Sequence, residues 1–218
     1  MINKFKKAQD PVSSATHFVG AIASFIAMIG MVILGMNRSH NHAIIISIIV
    51  FGLSSIALYT ASWVYHYCNK EEEHPVKRAL RTLDHSMIYI LIAGTYTPIV
   101  VAFVEKPHAY YFLTIIWAIA LVGIIVKLFW LQAPRMVSTV FYLLMGWALV
   151  FDFPAFSNVP LGCFVFVALG GIMYSIGAII YILKKPNWFT QFDFHDLFHI
   201  FVMLGSVFHF LAVYIYIL

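Results

Sequence analysis

Seven apolar runs, each roughly twenty residues long, dominate the sequence. A helix crosses ~30 Å of hydrocarbon in about 20 residues, at a rise of ~1.5 Å per residue, so each run is long enough to span a membrane. The runs cover residues 17–36, 43–67, 80–104, 109–130, 136–153, 160–183 and 194–217. They predict an all-α integral membrane protein, a bundle of seven transmembrane helices. The fifth run is the shortest, and Asp152 and Pro154 lie at its end.

The composition supports this prediction and sets the domain organisation. Of the 218 residues, 62% are hydrophobic and only 10% are charged, whereas about 25% are charged in a typical soluble protein. These values exclude a soluble enzyme, a disordered chain and the usual kind of nucleic-acid-binding protein. Since the spans use most of the chain, we expect a cytoplasmic N-terminal segment, residues 1–16, followed by one seven-transmembrane domain, residues 17–217.

The distribution of positive charge predicts the orientation in the membrane. Eleven of the 13 Lys and Arg residues fall on the side of the N-terminus: Lys4, Lys6, Lys7, Lys70, Lys77, Arg78, Arg81, Lys127, Arg135, Lys184 and Lys185. The other side holds Arg38 and Lys106. The positive-inside rule therefore predicts a cytoplasmic N-terminus and an external C-terminus. The basic loops then meet membrane lipids, and we expect no nucleic-acid partner.

Polar residues on three distant spans fall at the same edge of the membrane. Ser62 and His66 lie at the cytoplasmic end of the second span, Asp84 at the start of the third, and His195 and His199 at the start of the seventh. Residues four apart share one face of a helix, so His195 and His199 point the same way. Three imidazoles beside a carboxylate are the ligands that an open zinc site requires.

The remaining histidines, and the cysteines, have simpler interpretations. His17 is expected to anchor its span at the interface, although it could also support the metal ligands, and His85 is expected to pack or face the interface. His209 lies about 15 Å along the helix from His199, too far to share an ion. Arg81 is a competing partner for Asp84. Residues expected to be solvated are His40, His42, His74 and His108; Cys68 and Cys163 lie at opposite faces and cannot form a disulfide.

Three motifs in this order resemble the bacterial hemolysin III proteins, which are related to the progestin and adiponectin receptors and to the alkaline ceramidases. They are Ser62-x-x-x-His66, Asp84-His85-Ser86 continuing to Ala93-Gly94-Thr95-Tyr96-Thr97-Pro98, and His195-Asp196-Leu197-Phe198-His199-Ile200-Phe201. The resemblance covers nearly the whole chain. It implies a multi-pass protein of the plasma membrane of a bacterium. It also implies Zn²⁺ bound by His66, His195 and His199, with Asp84 holding the metal-bound water, Ser62 nearby, and hydrolysis of lipid amides.

The residues themselves are consistent with this chemistry. Three imidazoles leave one position on zinc for water, Asp84 could accept a proton from that water, and Ser62 could donate a hydrogen bond to the developing oxyanion. A site at the cytoplasmic leaflet suits a lipid-like substrate with an acyl chain, cleaved at an amide or ester bond. Three alternatives remain: a non-enzymatic regulator with structural zinc, a pore-forming haemolytic protein, and a haem protein with two histidine ligands. Long apolar runs such as 115–126 disfavour a pore within a single chain.

Overall fold

A computed structural model describes residues 7–38, 41–187 and 192–218, and the regular structure in these ranges is helical. Seven of the described segments are long and apolar enough to cross a membrane. They are α1 (Pro11–Arg38), α2 (His42–Tyr67), α3 (Pro75–Phe103), α4 (His108–Phe129), α5 (Arg135–Gly146) with the 3₁₀ segment Ala148–Phe156, α6 (Leu161–Leu183) and α7 (Phe194–Tyr216). The predicted seven-helix membrane architecture is confirmed, whereas the orientation of the termini stays a prediction.

Two helices begin well before the apolar runs that predicted them. Helix α1 begins at Pro11 rather than at residue 17, and α3 begins at Pro75 rather than at residue 80. Proline suits the first position of a helix because its missing N–H has no intrahelical partner there. At α3 the His74 side chain also caps the helix, since its Nδ1 accepts a hydrogen bond from the Val76 N–H at 3.2 Å. At these two helices the regular structure therefore extends beyond the apolar run.

The fifth span changes helix type in its second half. The α-helical part ends at Gly146, and the 3₁₀ segment follows with Asp152 in a non-helical conformation (φ −131°, ψ 37°). Pro154 lies inside that segment; a proline lacks the N–H that would continue the hydrogen-bond ladder and clashes with the preceding turn. Asp152 and Pro154, at the end of the fifth apolar run, both lie in this 3₁₀ segment, after the α-helix has ended.

The bundle is closed by contact between its first and last helices. Helix α1 packs on α2, α2 on α3 and α3 on α4; α6 packs on α7, and α7 packs on α1, while α5 contacts α3 and α6. Small residues allow close approach where α2 meets its neighbours: a Cβ atom on Gly94 would overlap the Ser54 side chain, and one on Gly52 would overlap Met28. Large apolar side chains such as Phe129 and Leu161 cover the outer surface, as expected for helices that face lipid.

Alternation of the helices brings the end of α2 and the starts of α3 and α7 to one end of the bundle. We call it the histidine end, because it carries His66, His195 and His199. Both cysteines are free thiols, consistent with the prediction that they do not pair. Predictions for Lys4, Lys6 and His40 concern residues outside the described ranges.

Candidate metal centre

Three histidines from two helices converge at the histidine end. His66 comes from the last turn of α2, and His195 and His199 from the first two turns of α7. One ring nitrogen from each of these three side chains, the histidine cluster, lies within 4.8 Å of the other two. His66 and His199 are each 2% exposed, and His195 is half-buried. These three histidines, which are the ligands predicted from the sequence, are arranged so that they can hold a metal ion.

The start of α7 is fixed by a reciprocal cap that orients the two histidines. The Asp193 side chain accepts hydrogen bonds from the N–H groups of His195 (2.8 Å) and Asp196 (3.2 Å), while the Asp196 side chain accepts one from the Asp193 N–H (3.2 Å). Such a capping box satisfies backbone donors that have no partner within the helix. It thereby holds the first turn of α7, and with it His195, in a defined position.

The end of α2 is held by a buried lysine from α3. Lys77 is fully buried, and its Nζ donates to the carbonyl oxygens of Tyr65 (2.9 Å) and Cys68 (3.0 Å). The last carbonyl groups of a helix lack intrahelical partners, and a cation there also interacts favourably with the helix dipole. Lys77 therefore joins α2 to α3 beside His66.

His66 is oriented by a carboxylate that the sequence did not single out. Its Nδ1 lies 2.8 Å from Oδ2 of Asp10, and the Asp10 N–H donates to the His66 carbonyl oxygen at 3.2 Å. Hydrogen bonding to His66 lowers the pKa of the Asp10 carboxyl, more than partial burial raises it. With Nδ1 engaged by Asp10, Nε2 is the nitrogen left for a ligand.

The buried nitrogens of the cluster test whether the residues fit a metal ion. Nε2 of His66 and Nδ1 of His199 are buried and have no hydrogen-bond partner among the described protein groups. Buried polar atoms are rarely unpaired, and a histidine that binds metal through one nitrogen usually donates the other N–H to a carboxylate or carbonyl. The His66–Asp10 pair has this arrangement, so the donor set fits a metal ion; that the ion is zinc stays a prediction.

Ser62 and Asp84 lie beside the cluster. Ser62 is 2% exposed, one turn before His66, and Asp84 on α3 is 9% exposed. The two side chains are close enough to interact, and Asp84 also lies within electrostatic reach of His66. Arg81, the competing partner, places its Nη1 3.7 Å from Oε2 of Glu72 and is also within electrostatic reach of Asp84. The structure therefore brings together all five residues that the sequence singled out.

A long cavity adjoins this centre. Its volume is about 770 Å³, and its lining includes Ser62, Asp84, His195 and His199 at one end and Phe164 at the other. Most of the remaining wall is aliphatic or aromatic. An apolar cavity with a few polar groups gathered at one end is typical of a site for a small ligand, here one with a long apolar part.

Comparison with known proteins agrees with the architecture and with the sequence motifs. The family described as "Haemolysin-III related" matches residues 5–210. The chain belongs to this family. It is 34% identical to Hemolysin-3 of Bacillus cereus over 96% of this chain and 92% of the relative. It is 33% identical to the Hemolysin-3 homolog of Bacillus subtilis (strain 168) over 97% and 96%. A more distant relative, the human monocyte to macrophage differentiation factor, is 25% identical over 77% of this chain and 68% of its own length.

The family resemblance stated from the motifs is thus confirmed. This haemolysin-III-related chain is a multi-pass membrane protein, and its bacterial relatives support a location in the plasma membrane.

Helix α1 contributes His17 and Ser13 to the site of this haemolysin-III-related protein; the sequence left a supporting role for His17 open and indicated none for Ser13. His17 is 3% exposed, and its ring stacks on that of His199 with the centroids 3.8 Å apart. The expectation that His17 anchors α1 at the membrane interface is wrong, because the helix begins earlier and carries this residue into the bundle. Ser13, one turn earlier, donates a 2.6 Å hydrogen bond to Oδ1 of Asp196. The i, i+4 spacing of Ser13 and His17 was the available signal.

The other histidines lie away from the cluster or at its edge. His85 is half-buried and lines the cavity, rather than only packing between helices. His209 places Nε2 3.2 Å from the Val167 carbonyl oxygen, which makes a hydrogen bond across to α6. The histidines expected to be solvated differ: His42 and His108 are exposed, whereas His74 is half-buried and caps α3.

Proposed function

We propose that the protein is a zinc-dependent hydrolase that cleaves amide or ester bonds of lipids at the cytoplasmic leaflet. One observation carries the proposal: the histidine cluster lies beside Asp84 and Ser62 at one end of a long apolar cavity. The cavity suits an acyl chain, and its polar end suits the bond that joins the chain to a headgroup. Hydrolysis is the reaction that these groups together support.

His66, His195 and His199 would hold the zinc ion. When bound, zinc supplies Lewis acidity that makes water a better nucleophile near neutral pH. Asp84 would accept a proton from the attacking water and later return it to the leaving amine or alcohol. The Ser62 hydroxyl would donate a hydrogen bond to the oxygen of the substrate carbonyl as negative charge develops there. Asp10 would keep the His66 ring in the tautomer that leaves Nε2 available.

Two alternatives predict different results. In a non-enzymatic regulator, zinc would only hold α2 against α7. In a pore, polar residues should line the path along its whole depth, but the cavity wall between the polar end and Phe164 is mainly apolar.

Asp84→Asn tests the catalytic proposal. We expect zinc content close to that of the wild type, because Asp84 is not one of the three clustered ligands, and a decrease in lipid hydrolysis of about 10²–10⁴-fold, because the proton acceptor is lost. Purified protein is assayed for zinc by elemental analysis and for turnover against a panel of acyl amides and esters.

The matched control is Asp152→Asn, which removes a carboxylate that is paired with the exposed His108 (3.3 Å) and does not line the cavity. It should retain full turnover. Equal turnover by wild type and Asp84→Asn would refute the role of Asp84, whereas zinc without any turnover across the panel would support the regulator.

A further inference from the structure

Positively charged side chains gather in the cavity wall at the histidine end. Arg81, Lys127, Arg135 and Lys184 all line the cavity, and Asp84 is the only carboxylate among the described residues that line it. They come from the start of α3, the end of α4, the start of α5 and the residue that follows α6. Because four segments contribute one cation each, the positive charge is concentrated at this end of the cavity and does not come from a single loop.

Lys127 is the most unusual member of this group. Its side chain is 3% exposed, and Nζ donates a 2.6 Å hydrogen bond to the Ser138 hydroxyl. Within the described ranges no carboxylate lies within 4.0 Å of it, and Arg81 is close enough to repel its charge. Burying an ammonium group without a counter-charge is costly. A lysine that only anchors a helix would extend its amine to the membrane surface, so Lys127 calls for a different explanation.

Arg135 connects the cations to the metal centre. Its Nη1 donates to the Tyr181 carbonyl oxygen at 3.0 Å, and its guanidinium lies 4.2 Å from the centre of the Tyr181 ring. That ring in turn lies 5.8 Å from the ring of His195. A single aromatic side chain therefore separates Arg135 from the histidine cluster. A guanidinium held by these two contacts suits a phosphate, which it can bind through two parallel hydrogen bonds.

We infer that this end of the cavity selects acyl lipids with an anionic headgroup, a phosphate above all, bound by Lys127 and Arg135. The apolar wall would take the chain, and, resting on the proposed function, the bond to be cleaved would lie between them at the histidine cluster. The cations and the apolar wall belong to one continuous cavity. A chain that carries an anion fills both parts, whereas free phosphate fills only one.

The inference is tested by binding, with probes that no acyl hydrolase can cleave. Oleyl phosphate and oleyl alcohol share one chain, differ in the phosphate and contain no acyl bond. Their dissociation constants are measured on the full-length protein in nanodiscs of zwitterionic phosphatidylcholine. Comparing the ratio of the two constants between variants cancels the unequal partitioning of the probes into lipid.

We expect the wild type to bind oleyl phosphate about tenfold or more tightly than oleyl alcohol, since hydrogen bonds to charged groups are among the stronger ones in proteins. Lys127→Met and Arg135→Gln should each remove most of this preference, and Lys127→Arg should retain it. Arg78→Gln is the matched control: Arg78 is an exposed cation one turn before Arg81 and does not line the cavity. It should bind like the wild type.

Equal binding of the two probes by the wild type would overturn the inference. So would a preference that persists in both Lys127→Met and Arg135→Gln. Inorganic phosphate is titrated as a competitor: if it binds as tightly as oleyl phosphate, with the same dependence on Lys127, the site takes a free anion and not a lipid. Should Lys127→Met fail to fold, Arg135→Gln and Lys127→Arg still decide the outcome.

A second measurement separates this inference from the proposed hydrolysis. Turnover of N-oleoyl-O-phosphoethanolamine is compared with that of N-oleoylethanolamine, which carries the same amide without the phosphate. Headgroup-dependent binding with no cleavage of either amide would refute the hydrolase proposal and leave the headgroup site standing. Cleavage of both amides with the same KM, together with no preference in binding, would refute the headgroup site and leave the hydrolase proposal standing.

Discussion

Asp10→Asn should weaken zinc binding although Asp10 is not one of the clustered ligands. The substitution keeps the shape of the side chain and one oxygen that can accept a hydrogen bond from Nδ1 of His66, but it removes the negative charge. The 3.2 Å hydrogen bond from the backbone N–H of residue 10 to the His66 carbonyl is retained. The variant therefore isolates the electrostatic contribution of the carboxylate to the basicity of the His66 ring.

The size of the effect follows from the exposure of the pair. Loss of a carboxylate that supports a histidine ligand typically costs roughly 10–100-fold in metal affinity. The Asp10 side chain is 45% exposed, so water screens part of its charge. We therefore expect the lower end of that range, about a tenfold increase in the zinc dissociation constant, or ~1.4 kcal/mol.

The negative charge of Asp10 should be present throughout the neutral range. The hydrogen bond with His66 lowers the pKa of Asp10 below its usual value of 3.8. A carboxyl group with a lowered pKa contributes its stabilisation fully above the usual value and loses it only as pH falls through the lowered one. The two dissociation constants are therefore compared at about pH 8, where Asp10 is ionised and protons compete least with zinc for the histidines.

Competition with a zinc-chelating dye in detergent measures both constants. Asp152→Asn is the control, because it alters a carboxylate–histidine pair, Asp152 with His108, that does not touch the cluster. The reasoning fails if Asp10→Asn binds zinc as tightly as the wild type does, or if Asp152→Asn weakens it equally.

Three further predictions concern the ligands, the oxyanion donor and the topology. The wild type should bind about one zinc ion per chain, and His199→Ala should lower both zinc content and thermal stability, because a metal bound to the folded state stabilises it. His209→Ala should leave zinc content unchanged. Elemental analysis of the two variants measures the difference. Ser62→Ala should lower kcat about 10²-fold with little change in KM, if its hydroxyl acts mainly in the transition state; a change in KM alone would contradict that role. Reporter fusions at the N-terminus and after Leu218 should report opposite sides of the membrane, since the charge distribution predicts it; signals from the same side would contradict a seven-span topology.

The parts of the structure that depend on local pattern could be predicted from the sequence. Each span follows from an apolar run of sufficient length, and the pairing of His195 with His199 follows from helical spacing. The meeting of His66 with both histidines follows from the alternation of spans, which brings the end of α2 and the start of α7 to one side. The loss of regular helix near Asp152 also had a local signal.

The parts that depend on packing could not be predicted. Asp10 and Ser13 precede the first apolar run, so they were assigned to a cytoplasmic segment, and nothing local indicates that they reach His66 on α2 and Asp196 on α7. The cavity depends on which helices pack weakly, here α5 against its neighbours, and no residue pattern records that. The burial of Lys127 is missed for the same reason, because a lysine in the last turn of a span ordinarily extends to the membrane surface.

Helix α1 contacts the histidine cluster on one side, and the cavity adjoins the cluster on another. Asp10, Ser13 and His17 are spaced three and four residues apart, so they follow one face at the start of α1, and they contact His66, Asp196 and His199 respectively. His66 lies on this side and does not line the cavity, whereas His195 and His199 do. Ser62 and Asp84 also line the cavity. In the proposed hydrolase, α1 would orient the ligands from one side, and the cavity, which His17 also lines, would admit water and substrate from the other. A purely structural metal site would not need such access.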